Sequence, residues 1–137
     1  MSATRVLVSG RAEGAPLRLD EPLSFWGGFD SADGRIIDRF HPQHGMALGG
    51  RILFVAHGRG SSSGASVLAE AIRLGTAPAG ICLLHGDAII ATGAMVAAML
   101  YGLACPVVVV GDEAEWQALA ARERLTVEAE TDGVRFS

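Results

Sequence analysis

The 137 residues contain no lysine; the basic side chains are eleven arginines, dispersed from Arg5 to Arg135 and outnumbered by fifteen acidic residues. A net charge of -4 without a basic block lacks the electrostatic footprint that nucleic-acid binding needs. Cysteine is scarce as well. Cys82 and Cys105 both fall in apolar runs that read as buried strands or strand ends, where a thiol usually serves as a small hydrophobe, with a disulfide or a metal ligand as the alternatives. No segment reaches the roughly 18 apolar residues of a membrane span, and the longest candidate, Ala88 to Leu103, is interrupted by Gly93 and Gly102. Met1 to Gly14 has no apolar stretch of signal-peptide type, so the expectation is a cytoplasmic chain without membrane contact.

Half of the residues are hydrophobic and only 19% are charged, which is enough apolar material for a core and too little charge for a disordered segment. The length fits one domain over 1–137. Its first part reads as mainly β. Thr4 to Val8 alternates polar and apolar side chains before Gly10, Pro22 to Trp26 runs up to Gly27-Gly28, and Asp33-Gly34 lies between short apolar runs as a hairpin-like turn. His41-Pro42-Gln43-His44-Gly45 must be an irregular loop, because Pro42 biases His41 away from helix.

From Arg51 the pattern changes. Ile52 to Ala56 is a continuous apolar run of the kind covered on both faces, and a glycine-serine loop and a helix from Ser66 to Leu74, ended by Gly75, follow it. Gly80 to Leu84 and Pro106 to Val110 are two more buried strands, Ala88 to Leu100 is a strongly apolar helix, and Asp112 can cap a helix running through Leu119. A β-α-β-α-β-α order predicts an α/β fold: a parallel, helix-covered sheet preceded by a β-rich part and closed by a hairpin around Asp132-Gly133.

The loop Gly58-Arg59-Gly60-Ser61-Ser62-Ser63-Gly64 carries the strongest chemical signal. A loop between a strand end and a helix start gathers backbone N–H groups and the positive helix end on an anion, although its serines can equally be helix caps. A dinucleotide site wants an acidic residue about 20 positions on at the end of the second strand. That strand ends at Leu84-His85, with Asp87 beyond it. A phosphate-binding loop of Walker type wants Gly-Lys-Ser/Thr, which is absent. Gly60-Ser61-Ser62-Ser63-Gly64 matches the hydrolase elbow with Ser62 central, yet the later histidine, His85, precedes Asp87, the wrong order for that triad. The remaining reading is a serine acting as base, its alkoxide stabilised by the N–H donors of a helix start.

These residues resemble a known family. Pro22 to Gly28, Gly34 to Arg39 with His41 to Gly45, the serine loop, and Ala88 through Gly102 with Cys105-Pro106 look like the small subunit of aconitase X, over roughly Pro22 to Val110. The resemblance implies a swivelling β/β/α domain that works in a heterodimer. An aconitase X large subunit would carry the iron-sulfur cluster or iron and most substrate contacts, so this chain binds no metal itself. It implies a hydro-lyase in which Ser61 is the base that removes the proton α to a carboxylate. Ser62, Ser63, Gly60 and Arg59 would contact the substrate, a small hydroxy acid, with Arg59 also a possible loop support. His57, His41 and His44 are candidate site supports, each alternatively a histidine satisfied by its own loop. Bacterial members with this loop resemble cis-3-hydroxy-L-proline dehydratase, which forms Δ1-pyrroline-2-carboxylate. Archaeal members resemble phosphomevalonate dehydratase, and they tend to have Lys at the place of Arg59 and Thr-Val at Ser62-Ser63. The loop here favours the hydroxyproline substrate; a phosphomevalonate dehydratase small subunit and a non-catalytic anion-binding module are the alternatives. Ala65 departs from the family, where many relatives have serine.

Overall fold

A computed structural model describes residues 4–137; the first three residues of the Met1–Gly14 segment lie outside it. The chain runs β1 (Arg5–Val8), β2 (Gly10–Gly14), β3 (Pro16–Arg18), α1 (Phe25–Gly28), β4 (Phe29–Asp30), β5 (Arg35–Ile36), β6 (Ile52–Val55) and α2 (Gly64–Leu74). It continues through β7 (Gly80–Leu83), α3 (Ala88–Tyr101), β8 (Val107–Val109), α4 (Glu113–Ala120), β9 (Leu125–Glu130) and β10 (Gly133–Phe136).

The central sheet has the strand order β1-β8-β7-β6-β3. β3, β6, β7 and β8 are parallel, and β1 closes the edge antiparallel to β8. Because β6, β7 and β8 step in one direction, two crossovers of the same hand place α2 and α3 on the same face. Side-chain alternation then divides the core. Leu53, Val55, Ile81, Leu83, Val107 and Val109 point into one cluster with Leu68 of α2 and Ala94 of α3. Ile52, Phe54, Cys82, Val108 and Val110 point the other way, into a cluster with Trp116 and Leu119 of α4 and Leu125, Val127 and Ala129 of β9. The continuous apolar runs are thus explained by layers on both sides.

The second layer is a sheet of order β10-β9-β2. β2 leaves β1 and pairs antiparallel with β9 from near the other end of the chain, Ala12 against Val127. α4 packs beside it. Trp116 meets Phe54 edge-on at 5.8 Å between ring centroids and donates its indole N–H to the Cys82 carbonyl at 3.0 Å. Such ring pairs add roughly 0.5 to 1.5 kcal/mol beyond the area they bury. Asp112 caps α4 by accepting from the Ala114 and Glu115 amides, as its position predicts.

The expected β/β/α arrangement is present, with both turns where Asp-Gly placed them: β4 and β5 pair around Asp33-Gly34, and β9 and β10 around Asp132-Gly133. The stretch from Pro22 to Trp26 is different. It forms an isolated bridge at Leu23 and then the single turn α1, in which Trp26 and Gly27 leave helical dihedral angles. Leu23 is held in place by its contact with the serine loop, a long-range pairing that overrides the local strand signal.

Candidate active site

β6 delivers the chain to the edge of the sheet at Ala56, and the next eight residues reach α2. Two anchors fix this loop. On one side Gly58 forms a parallel bridge with Leu23, and the Arg59 amide donates to the Leu23 carbonyl at 3.2 Å. On the other side the Gly58 amide donates to Asp87 Oδ2 at 2.9 Å, while Asp87 Oδ1 accepts from the Ile90 amide at 2.9 Å. Asp87 is therefore the N-cap of α3 and the clamp on the serine loop at once.

Two glycines are dictated by this packing. A Cβ on Gly58 would stand 2.9 Å from Asp87 Oδ2. At Gly60, where φ is +96°, a Cβ would stand 2.4 Å from Ser24 Oγ, so both space and dihedral angle demand glycine. Ser24 is itself oriented by donating to the Trp26 carbonyl at 2.8 Å.

Ser61, Ser62 and Ser63 are exposed at the tip. Ser61 Oγ accepts from the Ser63 amide at 3.1 Å. A backbone N–H aimed at this oxygen stabilises its anionic form, as does the nearby positive end of α2. Ser63 occupies the N-cap position, yet its hydroxyl makes no capping bond. The amides of Gly64, Ala65 and Ser66 instead donate to the carbonyls of Ser61, Ser62 and Ser63 at 2.9, 3.1 and 3.1 Å. Those donors are spent within the loop, so the start of α2 offers an anion a dipole rather than the open row of N–H groups of a phosphate cradle.

Arg59 reaches Asp38, with Nη2 3.5 Å from Oδ2. At the surface such a pair is worth about 0 to 1 kcal/mol, little enough for the guanidinium to exchange it for a substrate carboxylate. Asp38 thus faces Arg59 rather than its sequence neighbour Arg39, and its other oxygen accepts from the Phe40 amide at 2.9 Å.

The histidines separate into different roles. His41 is 3% exposed, and both ring nitrogens are occupied: Nε2 lies 3.1 Å from the Glu21 carbonyl and Nδ1 accepts from the Gln43 amide at 3.0 Å. This network assigns the neutral Nε2–H form and makes His41 the support of its own loop. Gln43 adds bonds to the Asp20 amide and the Arg18 carbonyl. His44 is exposed on the same loop. His57 Nδ1 lies 2.6 Å from the Gly58 carbonyl, and its ring stands 6.2 Å from that of His85. Among the described residues there is no group of three or more His, Cys, Asp or Glu side chains arranged to hold a metal.

Cys82 and Cys105 are free and buried, and burial raises both thiol pKa values, that of Cys105 to about 12. Both side chains are enclosed in the core, and the Cys105 thiol donates to the Pro78 carbonyl at 3.5 Å.

Asp87 as a loop clamp escapes sequence reasoning. Its position before α3 announces a cap, but the bond to Gly58 spans 29 residues. Beside Ser62, Ala65 of α2 and Ala88, Ile89 and Thr92 of α3 line a recess of 210 Å³. Cavities that enclose a ligand run from about 300 to 1,000 Å³. On the other flank Trp26 is 58% exposed and Phe40 93%. The exposed serine tip and these two exposed aromatic side chains lie on a domain of β/β/α type, and no described cavity encloses the tip.

The sequence matches the aconitase X swivel domain over residues 1–136, and the chain belongs to this family. It is 47% identical over 108 residues to cis-3-hydroxy-L-proline dehydratase of Pseudomonas aeruginosa, a match of 79% of this chain and 19% of that protein. It is 44% identical over 93 residues to the phosphomevalonate dehydratase small subunit of Methanothermobacter thermautotrophicus, covering 68% of this chain and 71% of that one. The crystal structure of aconitase X from Thermococcus kodakaraensis superposes with a TM-score of 0.77 at 28% identity, over 97% of this chain and 95% of that one. The chain spans about a fifth of the length of the hydroxyproline dehydratase it matches.

Proposed function

We propose that this chain is the swivel component of an aconitase X-type hydro-lyase in the cytoplasm, and that it brings Ser61 as the base to a substrate held by a larger chain. The observation that carries the reading is the Ser61 oxygen, exposed at the loop tip and accepting the Ser63 amide at 3.1 Å. The loop sequence and the similarity to the Pseudomonas aeruginosa enzyme favour cis-3-hydroxy-L-proline as substrate. Phosphomevalonate is the second reading, favoured by the similarity to the archaeal small subunits.

In the reaction, Ser61 Oγ takes the proton α to the carboxylate, the freed electron pair forms the Cα=Cβ bond, and the β-hydroxyl departs with a proton as water. Tautomerisation of the resulting enamine gives Δ1-pyrroline-2-carboxylate. Arg59, Gly60, Ser62 and Ser63 are the contacts assigned to the substrate in this reading, and Arg59 would exchange its weak pair with Asp38 for the substrate carboxylate. His57, which directly precedes the loop, is a candidate support, whereas His41 acts through the loop it orders and His44 is exposed on that same loop. The buried thiols and the saturated His41 do not suit an iron centre, so the iron-sulfur cluster or iron implied by the family belongs to the larger chain.

The test is co-expression with the larger chain and assay of both substrates. Ser61→Ala should lower kcat about 10² to 10⁴-fold, the range for a positioned general base, while the complex still assembles. Undiminished turnover by Ser61→Ala, or an iron-loaded complex that dehydrates neither substrate, overturns the reading.

A further inference from the structure

We propose that the outward stripe of α3, centred on Thr92, Met95 and Met99, is the docking surface for the larger chain of the enzyme. The inference rests on the reading that such a chain completes the site, and it names the face that chain covers.

α3 has fourteen residues and not one charged side chain. Its inward positions Ile90, Gly93, Ala94 and Ala97 are buried against α2 and the sheet. A helix at the surface of a finished protein carries polar residues on its other face, and one that is apolar all round is enclosed. Here the outward face is bare: Met95 is 46% exposed, Met99 78% and Leu100 69%. Ala88, Thr92, Met95 and Met99 recur at spacings of four, three and four, which makes one continuous stripe about 16 Å long at 1.5 Å per residue.

Two observations identify the occupant. The stripe begins at the recess that Ala88 and Thr92 share with Ser62, so whatever approaches the serine loop from this side reaches the stripe without crossing a polar boundary. Some four fifths of the Pseudomonas aeruginosa dehydratase lies outside the region this chain matches, which supplies a body large enough to cover the helix. The partner face is uncharged and apolar, because a charge set against this stripe would be desolvated without a counter-ion. Methionine at positions 95 and 99 suits a contact between two separately folded surfaces, since its flexible thioether adapts to an irregular neighbour.

The experiment measures assembly separately from turnover. Met95→Glu and Met99→Glu are introduced into the full chain one at a time, with Arg73→Glu on the outward face of α2 as control. Binding to the larger chain is measured by titration calorimetry, and mass by light scattering. Both stripe residues are exposed, so the variants should melt like the parent. Each should weaken the complex about 30-fold or more, as for a residue at the centre of an interface, with kcat recovered once the larger chain is in saturating excess. Arg73→Glu should change affinity less than threefold. If the parent chain binds and turns over substrate while both stripe variants bind within threefold of it, the docking inference is wrong and the functional reading stands. If the substitutions convert a self-associated chain to monomer and leave affinity for the larger chain intact, the stripe belongs to a second copy, and the inference is overturned. A parent chain that neither binds the larger chain nor turns over overturns the functional reading, and the inference with it.

Discussion

α2 and α3 cover the same face of the same sheet, one after each of two consecutive parallel strands, yet they treat water differently. α2 is amphipathic: Leu68, Ala69, Ala71 and Ile72 are buried, and Glu70 and Arg73 pair on the exposed side. α3 has a comparable inward face but methionines outside. Their beginnings differ too. The start of α2 is closed by its own loop, through the serine carbonyls and Ser61 Oγ, whereas α3 depends on Asp87, which also grips Gly58. The sheet imposes position on both helices equally. At its free side α2 presents a charged pair to solvent and α3 presents methionines, and the serine loop is held from both the Leu23 side and the α3 side.

The comparison is most directly broken at Asp87. Asp87→Ala removes an N-cap, worth about 1 kcal/mol, and leaves the partly buried Gly58 amide without its acceptor, a further cost of about 1 kcal/mol or more. A loss of about 2 kcal/mol is expected, seen as a lower urea midpoint at unchanged slope. Turnover should fall further than stability explains, because the loop carrying Ser61 loses one of its two anchors. A variant as stable and as active as the parent would show that the loop is held from the Leu23 side alone.

Gly93 sharpens the comparison from inside. There α3 lies so close to α2 that an added Cβ would stand 2.8 Å from the Ala65 carbonyl oxygen and 3.1 Å from Leu68 Cβ. Gly93→Ala gains up to about 1 kcal/mol of helix propensity and meets an overpacking cost of about 1 to 3 kcal/mol. The net loss should be about 1 kcal/mol, with the two helix starts pushed apart and Ser62 moved relative to Thr92. A stabilised variant would mean that the helices have room to separate.

Much of this was legible beforehand, and the limits have physical causes. β6, β7 and β8 announce themselves because strands covered on both faces cannot alternate, and α2 ends at Gly75, whose φ of +80° closes it as expected. The serine loop stands out in the sequence because glycine and serine concentrate between a strand and a helix, which is where the structure has it. Other features were not legible. Pro22 to Trp26 reads as strand because its contact with Gly58 is distant in sequence, and β2 is obscure because its partner β9 lies more than a hundred residues away. The burial of His41 depends on the Glu21 carbonyl, twenty residues upstream, which no pattern within the His-Pro-Gln-His loop foretells. α3 is the instructive case: its apolar run identified the helix, but apolar content alone did not say that only one side would be covered.

The smallest expected effect lies on the outward face of α2. Arg73 Nε donates to Glu70 Oε1 at 2.8 Å, Nη2 contacts the same oxygen, and this hydrogen bond with the Glu70 charge raises the arginine pKa. Both side chains stay substantially exposed, at 48% and 40%, so solvent and salt screen the pair. Glu70→Ala should therefore move the melting temperature by less than about 2 °C and leave the affinity for a larger chain untouched. The same measurement discriminates the two helices. If losing one surface carboxylate on α2 weakens assembly as much as a glutamate placed at Met99, the charged face of α2 is itself part of an interface, and the distinction between the two helices fails.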